Sequence, residues 1–324
     1  MKTFSQIVDD YLKERSALGF KDVDYRQRMN RIVKLQAQID YGRPILSEKT
    51  LEKWAEVLPC ESERTRFNRI SQIRSLSIYM HRMGYDTITI PKHYVPYKDS
   101  TYKPYIFSKE ELGLILSHVD IQCMEGVSTN ASLVYPVLFR LLIGSGLRIS
   151  EALAINKADY NPETGVIKLV TTKNNRERFI PIAESINERL KHYSEQMAAC
   201  FKGYPYTDFL FPNVYGKPYH KSTIYSVFRK ALWKSGIKHG GRGKGPRLHD
   251  LRHSYAVMVL NRGFSEGRQM DALLQGLSIY MGHTGLKSTE KYLRMTKEMH
   301  ANVTDKFTGK FGWVLEGEKN HENK

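Results

Sequence analysis

Five side chains in this sequence are of the types that break a phosphodiester without a metal. One stretch opens Arg247-Leu248-His249-Asp250-Leu251-Arg252-His253-Ser254, continues through Met281-Gly282-His283-Thr284 and closes at Glu290-Lys291-Tyr292-Leu293. It supplies two histidines, an arginine and a tyrosine. An earlier stretch, Gly144-Ser145-Gly146-Leu147-Arg148-Ile149-Ser150-Glu151, adds a second arginine just after a glycine-broken turn. A phosphodiester under attack gathers negative charge on its non-bridging oxygens. Guanidinium is planar, permanently charged and forks onto two oxygens at once, so a pair of arginines can clamp that charge. A phenol, with an unperturbed pKa of roughly 10, becomes a nucleophile where its surroundings favour ionisation. The leaving 5′ oxygen then needs a proton, which a histidine or lysine can give.

With their order and spacing, these residues resemble the tyrosine recombinase family, also called phage integrases or Xer-type recombinases. Gly146-Leu147-Arg148-Ile149-Ser150-Glu151 matches the family's Gly-x-Arg-x-Ser-Glu turn, and His249 with Arg252 matches its His-x-x-Arg pair. Met281-Gly282-His283 matches a Leu-Gly-His-like turn, and Tyr292 follows nine residues later (283 + 9 = 292) at the place of the nucleophile. Lys173, in Val170-Thr171-Thr172-Lys173-Asn174-Asn175-Arg176-Glu177-Arg178, is the best match to a lysine carried in a β-hairpin turn. Thr172 and Asn174 stand beside it where many relatives carry glycine. The resemblance covers residues 105 to 300.

The resemblance implies a mostly α fold with a small β-hairpin or sheet in the catalytic domain, and a two-domain clamp on DNA. It implies a site-specific recombinase or integrase, serving a mobile element such as a phage, transposon or integrative element. In such an enzyme Tyr292 would attack a DNA phosphate and form a 3′-phosphotyrosine. Arg148, Arg252 and His283 would hold the phosphate, while His249 and Lys173 would handle protons. No cofactor and no metal are implied. The implied partners are double-stranded DNA, further copies in a synaptic homotetramer, and an accessory DNA-bending or directionality protein. The alternatives are a type IB topoisomerase, which shares the chemistry, and a DNA-binding protein that has lost catalysis.

Composition is compatible with this. The chain has 324 residues, 50 Lys+Arg against 34 Asp+Glu, and a formal net charge of +16. An excess of that size fits a polyanionic partner, because basic groups that neutralise phosphates release counterions; a basic but unspecialised surface is the other reading. Cys60, Cys123 and Cys200 are sparse and far apart, which argues against a disulfide framework and for a reducing, cytoplasmic (nucleoid-associated) setting. The first residues lack the apolar core of a signal peptide. The most apolar stretch, Leu133 to Leu147, is broken by Arg140 and is too short to span a bilayer, so no membrane role is expected.

The elements that must position the five side chains can be read in order. Residues 1–90 read as a helical DNA-binding domain. Phe4, Ile7, Val8, Tyr11 and Leu12 share one helical face, which Gly19 ends. A second helix carries Met29, Ile32, Val33 and Ile39. A third, capped by Ser47, carries Leu51, Trp54, Val57 and Leu58. A fourth runs from near Glu61 to near Gly84 with Phe67, Ile70, Ile73, Ser77 and Met80 inward. Its other side carries Arg64, Arg66, Arg69 and Arg74, which we assign to phosphate contact. Residues 91–105, with Pro91, Pro96 and Pro104, read as a linker.

The catalytic domain spans 106–300. Ser108 and Glu111 form a capping box, with Phe107 and Leu112 as its hydrophobic staple. Helices are expected over Leu112–Val119 and Ala131–Ile143, then a strand over Val166–Thr171 and its partner over Arg178–Ile182, with Lys173 near the turn between them. Helices from Ser185 and Ser222 follow, the second carrying Ile224, Val227, Phe228, Leu232 and Trp233. Gly240–Pro246 is a basic loop whose Arg242 and Lys244 are candidates for the DNA backbone. It lacks the Gly-Lys-Ser/Thr of a phosphate loop. His249 and His253 are four apart, a spacing that zinc ligands on one helix use, but no third ligand presents itself. His253 therefore reads as structural. Tyr255 and Tyr280 read as buried packing residues, unlike Tyr292. Residues 301–324 form a tail that docks on a neighbouring protomer or folds back on its own domain.

Overall fold

The computed structural model describes residues 2–20, 23–96, 102–124, 129–170, 177–200, 207–241, 245–283, 285, 289 and 291–293. Lys173, Arg242, Lys244 and the 301–324 tail lie outside these residues. The chain divides into two units, Met1–Thr101 and Tyr102–Lys324.

Among the described residues the first unit has four helices: α1 (Phe4–Ala17), α2 (Val23–Ile39), α3 (Glu48–Ala55) and α4 (Glu63–Arg82). Each helix start has a local cause. Thr3 and Gln6 form a reciprocal capping box on α1, and Ser47 and Ser62 cap α3 and α4 through their hydroxyls. Apolar residues at helical spacing then meet in one core, with Phe4, Ile7, Met29, Ile32, Ile73 and Met80 among its members. Two expectations need correction. Helix α3 stops at Ala55, so Val57 and Leu58 are 67% and 45% exposed. The chain leaves the helical region at Glu56, with φ -53 and ψ 145, and Pro59 keeps Leu58 from returning to it.

The second correction concerns the basic side of α4, which is not one open face. Arg69 is buried. Its Nε and Nη2 donate to the two carboxylate oxygens of Glu61 at 2.9 and 2.7 Å, and its guanidinium lies 5.3 Å from the Trp54 ring. This side chain is committed inside the fold and is not offered to a phosphate. Arg66 donates to the Ala55 carbonyl and Arg74 to the Ile90 carbonyl, both half-buried, while Arg64 is exposed.

In the second unit, α5 (Lys109–Met124) begins at the expected capping box. The Ser108 amide donates to Glu111 Oε2 at 2.9 Å and the Glu111 amide to Ser108 Oγ at 3.2 Å. Phe107 and Leu112 are both buried in the core behind it. Helix α6 (Thr129–Ser145) has Pro136 in its interior, and α7 (Ile149–Ala152) follows one turn later. Strands β1 (Tyr160–Asn161), β2 (Val166–Leu169) and β3 (Arg178–Pro181) form an antiparallel sheet in the order β1-β2-β3. Its register pairs Ile167 with Ile180 and Leu169 with Arg178. The short β1, pairing Tyr160 with Ile167, was not foreseen.

Helices α8 (Glu184–Cys200), α9 (Lys221–Lys234), α10 (Asp250–Ser265) and α11 (Met270–Met281) follow. The cap of α9 is His220, whose ring accepts from the Ser222 amide, and not Ser222. Trp233, expected inside, is 79% exposed. The inward side of α9 is already filled by Ile224, Phe228, Ala231 and Leu232, and one residue further turns about 100° away at 3.6 residues per turn. The larger core packs α5, α6, α8 and α9 with the sheet; a smaller one holds Val257, Leu260, Leu277, Met281 and Tyr292. Among the described residues no helix is long and apolar enough to cross a membrane.

Candidate active site

The site begins where α6 ends. Gly146 turns the chain at φ +59, and a Cβ there would lie 2.4 Å from Cδ1 of Tyr255. The glycine is needed for the left-handed turn and for the close approach of α10. Gly144 lies inside α6, where a Cβ would meet Ile186 Cδ1 at 2.3 Å. The two glycines therefore serve close packing.

This turn places Arg148 at the head of α7, one turn before Glu151. The Arg148 amide donates to Glu151 Oε2 at 2.9 Å and its Nη1 to Oε1 at 2.7 Å. A third residue shares the same carboxylate. Arg178, at the start of β3, donates from Nη1 to Oε1 at 3.1 Å and from Nη2 to Oε2 at 2.9 Å, while its Nε donates to the Tyr280 carbonyl at 3.0 Å. The Arg252 guanidinium stands 4.0 Å from Glu151 as well. One buried carboxylate thus organises three arginines, and a guanidinium from the sheet ties it to the end of α11.

Arg252 comes from the first turn of α10 and is itself buried. Its Nη1 donates to the Gly146 carbonyl at 2.7 Å and its Nη2 to the Met281 carbonyl. His249 sits one turn earlier as an exposed residue at the α10 N-cap position. Gly282, at φ +63, is the left-handed cap of α11 and delivers His283. The His283 Nδ1 is 2.7 Å from Thr289 Oγ1. Arg148 reaches this same turn, from Nη2 to the Gly282 carbonyl at 3.4 Å.

Tyr292 lies in a short helical piece over residues 291–293 and is 1% exposed. Its hydroxyl is 2.9 Å from His253 Nδ1. Its ring lies 5.4 Å from that of His253 and 6.1 Å from that of His283. Tyr255 and Tyr280, expected to be the buried tyrosines, are only half-buried and stack on each other at 5.8 Å. Burial therefore does not set Tyr292 apart in the way its neighbours suggested. The structure brings together Arg148, His249, Arg252, His283 and Tyr292.

Sequence reasoning overlooked two members of the cluster, Arg178 and His253. For Arg178 a signal was present: two residues before the inward Ile180, it lies on the same face of the strand, an odd place for an unpaired charge. His253 adjoins Arg252 and lies one turn from His249, but its ring was assigned a structural role. The rings of His249 and His253 meet edge to face at 4.8 Å. Among the described residues no third His, Cys, Asp or Glu joins them in a metal-holding group.

The charge state follows from burial. Burial alone would raise the Glu151 carboxyl, but hydrogen bonds and charge from Arg178 and Arg148 hold it below the usual range. Desolvation, and then the charge of Arg148, lowers Arg252 to about 10, so it stays cationic at neutral pH. Desolvation followed by the Arg252 and Arg148 charges brings His249 and His283 each down to about 4. Desolvation and the neighbouring His249 bring His253 to about 3. Tyr292 is pushed up to about 12 by burial, against the pull of Arg252 and Arg148. The site therefore presents neutral imidazoles and a neutral phenol beside fixed guanidinium charge, which is a receptor for an anion.

Comparison with known proteins bears on this arrangement. The chain is 26% identical over 302 residues to y4rB of Sinorhizobium fredii, a protein named as an integrase/recombinase, covering 92% of this chain and 95% of that one. It is 29% identical over 170 residues to the tyrosine recombinase XerD of Staphylococcus saprophyticus, a match that takes in 52% of this chain and 53% of that protein. Among solved structures, the Tn1549 transposon integrase in complex with transposon right end DNA has a TM-score of 0.58 at 18% identity, covering 90% of this chain and 94% of that one. A lambda integrase dimer bound to a core site has a TM-score of 0.59 at 15% identity, covering 90% and 95%. These two likenesses are of fold. Residues 107–299, which contain every side chain of the cluster, match the phage integrase family, and the chain belongs to that family of tyrosine recombinases.

Proposed function

We propose that the chain is a site-specific DNA recombinase in which Tyr292 cleaves and rejoins DNA through a 3′-phosphotyrosine link. The observation that carries this reading is the convergence of Arg148, Arg252, His249 and His283 on one tyrosine, from elements spread over the length of the second unit. The Tyr292 oxygen attacks phosphorus, the bond to the 5′ oxygen breaks, and a 5′ hydroxyl is freed. Arg148 and Arg252, already oriented by Glu151 and by backbone carbonyls, hold the non-bridging oxygens, and His283 donates to one of them. The leaving oxygen takes a proton from Lys173, which falls between β2 and β3 in the sequence, or from His249 once the negative charge of the bound phosphate has drawn a proton onto its ring. The bond energy stays in the phosphotyrosine, so a second 5′ hydroxyl can reverse the step.

Double-stranded DNA is the substrate in this reading, and a homotetramer joins two duplexes. The likeness to y4rB along nearly its whole length and the fold shared with a transposon integrase support a mobile-element role. Arg64 and the net charge of +16 support additional phosphate contacts from the first unit.

The test is covalent trapping. The protein is mixed with labelled, nicked duplexes drawn from DNA flanking its own gene and run on a denaturing gel. A protease-sensitive adduct that Tyr292→Phe abolishes, with gel-shift binding retained, supports the reading. Equal behaviour of the two proteins in every assay overturns it in favour of a DNA-binding protein.

A further inference from the structure

The attacking phenol must lose its proton, and the residues assigned above do not account for where it goes. The Tyr292 hydroxyl is 2.9 Å from His253 Nδ1, inside a pocket where the tyrosine is 1% and the histidine 6% exposed. On the far side of the imidazole, His253 Nε2 faces Asp250 Oδ1 at 4.0 Å. Asp250 is 1% exposed. Its Oδ2 accepts from the Tyr102 hydroxyl and, at 2.8 Å, from the Arg247 amide. Its Oδ1 is buried and has no hydrogen-bond partner among the described residues. A buried carboxylate oxygen left in this way is costly unless a donor comes to it. The Tyr105 amide also bears on this carboxylate, and the side-chain donor that faces Oδ1 is the Nε2–H of His253. That tautomer leaves Nδ1 bare to accept from Tyr292.

From this geometry we infer that His253 takes the phenol proton of Tyr292 and that Asp250 positions it, an Asp–His–Tyr relay buried behind the phosphate site. The inference rests on the reading of Tyr292 as the nucleophile. As the Tyr292 oxygen bonds to phosphorus, its proton passes to His253 Nδ1. The electron pair of the broken P–O5′ bond leaves on the 5′ oxygen, which is protonated separately by Lys173 or His249. His253 is then an imidazolium whose Nε2–H is drawn onto Asp250 Oδ1, closing the 4.0 Å gap, as catalytic hydrogen bonds commonly tighten during reaction. Rejoining runs the same transfers backwards. A histidine directed at a nucleophile, with a buried carboxylate directing the histidine, is the arrangement that activates hydroxyl nucleophiles on unrelated folds. Here it would act on a phenol. His253 touches the reacting atom and is catalytic in this scheme; Asp250 acts through it and is a positioning residue.

The experiment uses the full chain and the nicked duplexes above, following the rate of adduct formation. His253→Gln is expected to slow cleavage by about 10²- to 10⁴-fold, the usual contribution of a positioned base. Replacing Tyr292 by trifluorotyrosine, whose phenol ionises far more readily, should restore most of that loss in the His253→Gln background. Asp250→Asn should be slowed and restored in the same way. A His253→Gln rate equal to or above wild type overturns the inference, as does a slow variant that the fluorinated tyrosine leaves slow, because a packing defect is indifferent to phenol acidity. Should His253→Gln not fold, nitrogen-15 NMR of the wild-type imidazole decides: a protonated Nε2 with bare Nδ1 supports the relay, and the opposite tautomer overturns it. A wild-type chain that forms no adduct on these duplexes overturns both the nucleophile reading and the relay, whereas an adduct abolished by Tyr292→Phe but untouched by His253→Gln overturns the relay alone.

Discussion

Arg178 and Glu151 are 27 residues apart and form a two-pronged ion pair, with Nη1 and Nη2 at 3.1 and 2.9 Å from the two carboxylate oxygens. Both side chains are nearly sealed from water, at 10% and 3% exposure. The pair joins the sheet to the turn that carries Arg148, and the remaining Arg178 nitrogen holds the end of α11 just before His283. The orientation of the proposed phosphate-binding groups thus depends on a charge pair that is itself nearly closed to solvent.

Glu151→Leu removes one partner and leaves buried guanidinium groups uncompensated. It should destabilise the second unit by about 3–5 kcal/mol, read as a lowered midpoint in a urea titration. Glu151→Gln keeps the shape and should lose less stability while still slowing adduct formation. Unchanged stability in the leucine variant would mean that the pair is not what holds the turn.

Gly146→Ala and Gly282→Ala each combine a positive φ with a clash. The added Cβ would meet Tyr255 Cδ1 at 2.4 Å in the first and Arg178 Nη1 at 2.6 Å in the second. Each should cost about 1–3 kcal/mol in denaturant melts. Gly113→Ala, in α5 with open space around it, is the control. It should instead stabilise by about 0.5–1 kcal/mol. Equal shifts for all three would remove the steric explanation.

Stability should fall in mild acid. His283 titrates at about 4 in the folded chain and the buried His253 at about 3, against 6.5 when unfolded; His249, whose side chain is exposed, is left out of this sum. Below 6.5 the unfolded chain binds protons that the folded chain refuses, so the contribution is complete above 6.5 and lost as pH drops toward 4 and then 3. For the buried His253 the loss is on the order of 3 kcal/mol. Urea midpoints measured from pH 7 down to pH 4 should decline, and His253→Gln should flatten part of that decline. A midpoint independent of pH across this window would contradict the neutral, buried imidazoles.

Arg69→Ala separates stability from DNA affinity. It strands Glu61, 5% exposed, and removes the guanidinium from Trp54. A loss of about 3 kcal/mol is expected in the first unit, with the salt dependence of DNA binding unchanged. A salt slope lowered by about one would instead return Arg69 to the DNA-contacting surface.

Where an element's cause is local, the sequence already contained it. Ser108 and Glu111 announce the start of α5, Gly282 the end of α11, and the His249–Arg252 spacing one helical turn, because each depends on backbone requirements met within a few residues. The set Arg148, His249, Arg252, His283 and Tyr292 was legible in another way, through its match in order and spacing to the motifs of the tyrosine recombinases. The tertiary structure alone decided which charges are buried and what they face. Arg69 turned inward to Glu61, Arg178 joined Glu151, and His253 met Tyr292 across 39 residues. Burial and pairing are set by elements distant in the chain that exclude water together, and the neighbours of a residue in sequence carry no record of that exclusion.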